Sequence, residues 1–248
     1  MSRKLLAIFL AGQFSFLALG ALANLASEFE AANTLYYGGK FDEAAAAYQK
    51  VIQSGEHSAA LYFNLGNAFF KSGKLGQAVA AYLVAQRVAP RDPDVRANLQ
   101  FAKNQIAGPN LTPTRFQQWL GKLTLNEWTE LAAVGLWFFF LLLALIQWRP
   151  ALRLSLRPAI VALAALTLIF CAGLLAAFHS QTEQIAVVLV PQATAHQGPL
   201  DQAESAFIVH EGAQVRVLDR KSDWLLVSTD PRRIGWLKPH QVIFPFSR

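Results

Sequence analysis

The chain has 248 residues, 54% of them hydrophobic, and a mean hydropathy of +0.29. That average is too apolar for an ordinary soluble protein of this length. The excess of hydrophobic residues is concentrated in three apolar blocks, near residues 5–23, 131–148 and 159–178. Apolar blocks of this length indicate membrane segments rather than a soluble core. The rest of the chain is too short for one large domain and suits two small ones.

The formal net charge of +6 comes almost entirely from the flanks of these blocks. Arg3 and Lys4 precede the first block, and Arg149, Arg153 and Arg157 lie between the second and the third, which accounts for five of the six surplus charges. Charges in such positions direct membrane insertion. Because the other segments are close to neutral, the composition argues against nucleic-acid binding.

The first segment has the pattern of a secretory signal. Two basic residues precede an apolar run, which ends at the small-x-small sequence of Ala21, Leu22 and Ala23. We expect a signal peptide over residues 1–23 with cleavage after Ala23, and an uncleaved anchor is the alternative. Both interpretations place residue 24 and those that follow it outside the cytoplasm.

Residues 24–107 contain an internal repeat with a period of about 34 residues. At this shift Asn33 falls on Asn67 and Tyr48 falls on Tyr82, and no gap is needed. The alternation of small and aromatic residues resembles the tetratricopeptide repeat, which implies an all-α solenoid of helix pairs. We expect two full repeats and one capping helix. Since about three repeats are usually needed for stability, a partner, a dimer contact or the bilayer has to supply the missing burial.

Residues 108–130 are predicted to be a linker followed by an interfacial helix. The linker is indicated by Gly and Pro residues near its start, and then Phe116, Trp119, Leu120 and Leu123 fall on one helical face. Such a face is typical of a helix that lies along a membrane surface. A helix docked on the repeat stack is the alternative.

Residues 131–148 and 159–178 are predicted to be transmembrane helices 1 and 2. Neither contains a charged residue, and each is long enough for a hydrocarbon core of roughly 30 Å. The loop over 149–158 carries three arginines and no acid, which predicts a cytoplasmic loop. With residue 24 outside the cytoplasm, a two-helix hairpin returns the C-terminal segment to the outside as well.

Residues 179–248 are predicted to form a β-domain. Five segments alternate or run apolar between turn residues: Ile185–Val190, Phe207–Val209, Gln214–Leu218, Trp224–Ser228 and Ile234–Leu237. The glycine turn at Gly212, the Trp224 strand and the Gly235-Trp236 strand resemble a bacterial SH3 domain, which implies a small all-β barrel. Trp224 and Trp236 are candidates for ligand binding, and core packing, their usual role in that family, is the alternative.

The chain lacks the residue patterns of catalysis. No pair of its five histidines has helical metal-ligand spacing, and neither a glycine-rich phosphate loop nor a Gly-x-Ser-x-Gly sequence occurs. We therefore predict a protein that is not an enzyme and that has no metal or cofactor site.

A protein-binding groove follows from the resemblance to tetratricopeptide repeats, in which the first helix of each repeat lines a concave surface. The matching positions here are aromatic or carry amides, apart from one lysine: Phe29, Asn33, Tyr36, Tyr37, Phe63, Asn64, Asn67, Phe70 and Lys71. This composition suits an extended peptide or a partner helix, and packing of the aromatics between repeats is the alternative. A carboxylate clamp is not expected, because Phe29, Asp94 and Asn98 stand where that clamp has bases.

The order of signal sequence, repeats, membrane hairpin and SH3-like domain resembles the BatE proteins of the bacterial aerotolerance operon. The resemblance implies a multi-pass protein of the inner (cytoplasmic) membrane with both domains in the periplasm. It also implies association with MoxR-type ATPases and with membrane proteins that carry von Willebrand A domains. Our leading hypothesis is an adaptor in such a stress-related complex, with homo-oligomerisation left open, and the alternative is a peptidoglycan-binding protein that acts through the SH3-like domain.

Overall fold

The computed structural model describes residues 25–246, so the predicted signal peptide lies outside the described residues. The helices are α1 (25–37), α2 (Phe41–Gln53), α3 (Ala59–Lys71), α4 (Leu75–Val88), α5 (Pro93–Lys103), α6 (Arg115–Leu120), α7 (Leu125–Trp148) and α8 (Arg153–Thr182). The strands are β1 (Gln184–Val188), β2 (Gln192–His196), β3 (Ser205–His210), β4 (Gln214–Lys221), β5 (Trp224–Asp230), β6 (Arg233–Leu237) and β7 (Val242–Ile243).

The first five helices form two antiparallel pairs, α1–α2 and α3–α4, followed by α5. Each pair turns at a glycine with positive φ, +76° at Gly39 and +80° at Gly73, a conformation that costs glycine little. The second pair approaches most closely at Gly66, where a Cβ would lie 2.6 Å from the ring of Tyr82. The helix pairs and their turns therefore recur with the same period as the sequence repeat.

Helices α7 and α8 form an antiparallel hairpin that packs through small residues. Gly135 lies against Thr167, and Gly173 lies against the indole of Trp128, where a Cβ would be 2.3 Å from the ring. The two helices have 24 and 30 residues and are long and apolar enough to cross a membrane. Large apolar side chains along both remain exposed, and hydrocarbon is the surrounding that suits them.

The turn that connects α7 and α8 is shorter than the predicted loop over 149–158. A 3-10 turn over Pro150–Leu152 is followed directly by α8, so Arg153 and Arg157 lie on the first turns of a helix. The sequence interpretation began this helix after Pro158. The structure includes Pro158 inside α8, where a proline removes a single backbone hydrogen bond.

The C-terminal strands form one antiparallel sheet in the order β3-β2-β6-β5-β4-β1-β7. Its core is made of fully buried aliphatic side chains, among them Val209, Val215 and Val227. All five strands expected from the sequence are present. Strands β2 and β7 were not expected, because the apolar positions of β2 are alanines, which are poor strand formers, and β7 has only two residues.

Helix α6 packs at the base of the hairpin rather than on the repeat stack. Leu120 is buried against Trp128, and the indole Nε1 of Trp128 donates a hydrogen bond to the Leu120 carbonyl oxygen at 3.2 Å. Phe116 and Trp119 remain 59% and 50% exposed on the other side of α6. A salt bridge between Arg91 and Glu127 links the turn before α5 to the first turn of α7.

Candidate functional site

The groove begins as a pocket of about 170 Å³ in the repeat stack. Its lining consists of amide and aromatic side chains: Asn33, Tyr36, Tyr37, Tyr48, Phe63, Asn64 and Asn67. Six of these seven belong to the set predicted from the sequence. The pocket therefore contains hydrogen-bonding groups and ring faces but neither a carboxylate nor an ammonium group, which suits an uncharged part of a ligand.

Asn33 is held in place by two hydrogen bonds to its side-chain oxygen. The hydroxyl of Tyr48 donates to Asn33 Oδ1 at 2.7 Å, and Asn64 Nδ2 donates to the same atom at 3.1 Å. Tyr48 comes from α2, below the groove, and Asn64 comes from the next repeat. A buried tyrosine thus fixes the amide of one repeat, and that amide orients the amide of the following repeat.

The same arrangement recurs one repeat later. Tyr82 donates to Asn67 Oδ1 at 2.7 Å, and Asn98 Nδ2 donates to that oxygen at 2.8 Å. All three residues lie one repeat period after their counterparts. We call the two sets together the amide ladder, which consists of Asn33, Tyr48, Asn64, Asn67, Tyr82 and Asn98.

The tyrosines of the amide ladder remain donors over the whole physiological pH range. Tyr48 and Tyr82 are 1% and 2% exposed, and burial raises the pKa of Tyr48 to about 12 and that of Tyr82 further still. Since each Asn oxygen accepts from two donors, the amides cannot rotate without losing both bonds. The Nδ2 of Asn33 and the Oδ1 of Asn64 are therefore presented in fixed directions to a ligand.

The helical pairs also match a known family. A model of the tetratricopeptide repeat family matches residues 29–93, which run from α1 into the start of α5. Residues 29–93 form tetratricopeptide repeats. The match covers about a quarter of the chain, and no curated protein matches the chain.

Three predicted groove residues lie outside the tetratricopeptide pocket. The ring of Phe29 packs 5.8 Å from that of Tyr48, and the ring of Phe70 packs 5.5 Å from that of Phe101. Lys71 is exposed in the last turn of α3. Phe29 thus packs within its own repeat, and Phe70 packs between repeats, which is the alternative role for the aromatics, whereas Tyr37 is 85% exposed at the pocket rim.

Phe101 and Asn98 extend the groove beyond the residues that the sequence predicted. Phe101 is 56% exposed on α5, and Asn98 belongs to the amide ladder. Both could have been found from the repeat, because one period separates Phe101 from Asn67 and Asn98 from Asn64. The sequence analysis considered Asn98 only as a replacement for a clamp base.

A larger surface depression of about 250 Å³ lies at the turns between paired helices. It is lined by Gly39–Glu43 and Ser72. These residues are mostly solvent-exposed, and Asp42 pairs with Lys74 at 3.0 Å across its edge. A solvated ion pair at a turn offers little to a ligand, so the smaller pocket at the amide ladder is the better candidate.

The two tryptophans of the sheet differ in exposure. Trp224 is 9% exposed, its ring lies 5.5 Å from that of His196 in an edge-to-face arrangement, and Lys238 Nζ lies 5.3 Å from its centroid. Trp236 is partly exposed. Trp224 is therefore buried, and Trp236 is the more accessible of the two.

Within residues 25–246, no group of three or more His, Cys, Asp and Glu side chains could hold a metal ion. Cys171 lies in the middle of α8, in an apolar surrounding.

Proposed function

We propose that the protein is a membrane-anchored adaptor that binds an extended segment of another protein in its tetratricopeptide groove. The amide ladder is the observation on which this rests. Side-chain amides held in register from one repeat to the next can bond to the peptide groups of an extended chain whatever its sequence. The exposed rings of Tyr37 and Phe101 beside them supply apolar contacts that give selectivity for side chains.

The proposal places α7 and α8 across the bacterial inner membrane as a hairpin. At 1.5 Å per residue the 24 residues of α7 extend about 36 Å, more than the roughly 30 Å of a hydrocarbon core. Trp148 at the end of α7 is 82% exposed, which suits a position at the lipid–water interface. The repeats and the sheet then lie together in the periplasm, and the arginine-rich turn lies in the cytoplasm.

The partner class follows from the resemblance to BatE proteins. Exported parts of membrane proteins with von Willebrand A domains would lie on the same side of the membrane as the groove, whereas a cytoplasmic MoxR-type ATPase could reach only the turn at Arg149–Leu152. We therefore propose exported segments of membrane neighbours as ligands. In this account the sheet has the SH3-like fold, and the protein acts without catalysis, metal or cofactor.

Photo-crosslinking at Phe63 tests the adaptor proposal. A benzophenone amino acid at Phe63, in the pocket, should capture one predominant protein in intact cells. The same probe at Gln49, exposed on α2, is the control and should not capture that protein. If the Phe63 probe yields only lipid or a second copy of this chain, the adaptor proposal is wrong.

Peptidoglycan binding through the sheet is the second candidate function, and Trp236 and its surroundings favour it. A partly exposed indole next to His196, its partner in the sheet register, could stack on a sugar ring. The full-length protein in detergent should then be retained by purified sacculi, and Trp236→Ala should abolish retention. Retention that Trp236→Ala leaves unchanged would exclude this mode of binding.

A further inference from the structure

The C-terminal sheet follows the hairpin in the sequence and packs against the repeat stack. Helix α4, the second helix of its repeat, contacts β1 and the turn between β3 and β4. The groove lies elsewhere, since its pocket is lined by residues of α1, α2 and α3. The sheet thus covers the side of α4 and leaves the groove open.

The contact is closest at Gly76, in the first turn of α4. The carboxylate of Glu211 accepts a hydrogen bond from the Gly76 backbone N–H at 2.9 Å, as a capping residue does at a helix N-terminus. A Cβ at Gly76 would lie 2.4 Å from the carbonyl oxygen of Val188. Since that oxygen belongs to the backbone of the sheet, only glycine fits here.

The hydrophobic cores of the two parts are continuous. Val187 of β1 is fully buried within the core of the repeat stack, and Ile243 and Phe246 pack against the same core. Ile106, just after α5, contacts both cores. Gly212, with φ +83°, lies close against Leu75 and Ile106, and an added Cβ would be 3.2 Å and 3.1 Å from their side chains.

The segment after α5 is fastened to the sheet, although its composition is that of a linker. The Asn110 side-chain oxygen accepts a hydrogen bond from Gln214 N at 2.8 Å, and Leu111 N donates to the Gln214 carbonyl at 3.1 Å. Gly108 lies against the ring of His210. At the other end of α4, the Arg87 guanidinium lies 3.4 Å above the ring of Phe246, a cation–π contact.

We infer that the C-terminal sheet is the cap of the repeat stack. Two and a half repeats leave apolar surface that a further repeat would normally cover, and the sheet covers it instead. The inference goes beyond the proposed function, because it assigns the sheet an intramolecular partner whichever ligand the groove binds. It also requires an even number of membrane crossings between α5 and β1, since both faces of the contact must be on one side.

The Gly76→Ala variant distinguishes a docked sheet from a free one, because hydrogen exchange in α4 should become faster if the sheet is docked and slower if it is free. In a free α4, alanine favours the helix over glycine, so α4 amides would exchange about fivefold more slowly. With the sheet docked, the new methyl group collides with Val188, and exchange in both α4 and β1 should become at least about tenfold faster. Gly38→Ala is the control, because its Cβ meets only carbonyl oxygens of its own helix at 3.3 Å or more.

A second variant decides the matter if Gly76→Ala does not fold. Phe246→Ala removes the cation–π contact and one apolar contact near the end of the chain, outside the sheet core. Hydrogen exchange is measured on the full-length protein in detergent. Phe246→Ala should accelerate exchange in α4, while the strands β4 and β5 keep their protection. Unchanged exchange in α4, or greater protection of α4 in Gly76→Ala, would overturn the inference. Neither readout depends on a groove ligand.

Discussion

Two tyrosines determine the geometry of the groove at the scale of single residues. Tyr48 and Tyr82 are buried, so their hydroxyls need partners inside the protein, and Asn33 and Asn67 provide them. The same bonds orient the amides toward the next repeat. Stability and binding geometry therefore depend on one set of hydrogen bonds.

Tyr82→Phe is expected to destabilise the protein by about 1 kcal/mol, because Asn67 loses a donor while the ring still fills its place. Denaturant unfolding of the detergent-solubilised protein measures the effect. Tyr37→Phe, at an 85% exposed position, is the control and should leave the free energy of unfolding unchanged. Equal stability of the two variants would show that the Tyr82 bond contributes nothing.

The raised pKa of Tyr48 predicts loss of stability in alkali. Its folded pKa of about 12 exceeds the ordinary value of 10.0, so the contribution is complete below pH 10 and is lost as the pH rises toward 12. Thermal unfolding from pH 8 to 11.5 should show a decline that begins near pH 10. Tyr48→Phe should make this decline shallower, with the rest due to Tyr82, and an equally steep decline in that variant would contradict the assignment.

The asparagines of the pocket were predictable from the sequence, since their spacing follows the period. Their pairing was not, because Asn33 lies on α1 and Tyr48 on α2, and the two side chains meet only when these helices pack. The close contact of Gly76 with Val188 was also hidden, because it joins segments that are far apart in the chain. Periodicity locates residues on a helix face, and tertiary contacts decide what each face touches.

At the scale of elements, α6 contacts the hairpin on one side and is exposed on the other. Its buried residue contacts the hairpin, and its exposed rings Phe116 and Trp119 stack with centroids 6.3 Å apart. Arg115 and Lys122 flank them and could pair with lipid phosphates. We expect α6 to lie in the lipid–water interface, with both rings toward the bilayer.

A spin label tests the position of α6. With Cys171→Ala as background, a label at Phe116→Cys in lipid nanodiscs should collide more often with oxygen, which concentrates in lipid, than with a water-soluble nickel chelate. A label at Asp223→Cys, exposed between β4 and β5, is the control and should show the reverse preference. If the two labels behave alike, α6 is not interfacial.

The helices were easier to predict than the strands. The repeat period and two long uncharged runs determine α1–α5 and the hairpin, whereas the alanine-rich β2 becomes a strand only because β3 and β6 pair with it. The turn between α7 and α8 was predicted too long, because the second membrane helix was predicted to begin after Pro158, which α8 includes. Local sequence patterns do not predict a strand that forms only through pairing with other strands.

At the scale of the whole molecule, the hairpin is an insertion between two halves of one folded unit. The stack, the segment at Asn110 and Leu111, and the sheet are joined by hydrogen bonds and a shared core. The sequence indicated two separate soluble domains and did not reveal this contact. In the proposed function, a partner held in the groove would thereby be connected to the membrane through this unit.

The membrane topology of the hairpin is the central claim, and cysteine accessibility tests it most directly. In spheroplasts, on the Cys171→Ala background, a membrane-impermeant maleimide should label Asp94→Cys and Asp223→Cys without lysis. It should label Leu154→Cys, exposed beside the arginine-rich turn, only after the membrane is opened. Labelling of Leu154→Cys from outside, or protection of only one of the other two sites, would contradict the account.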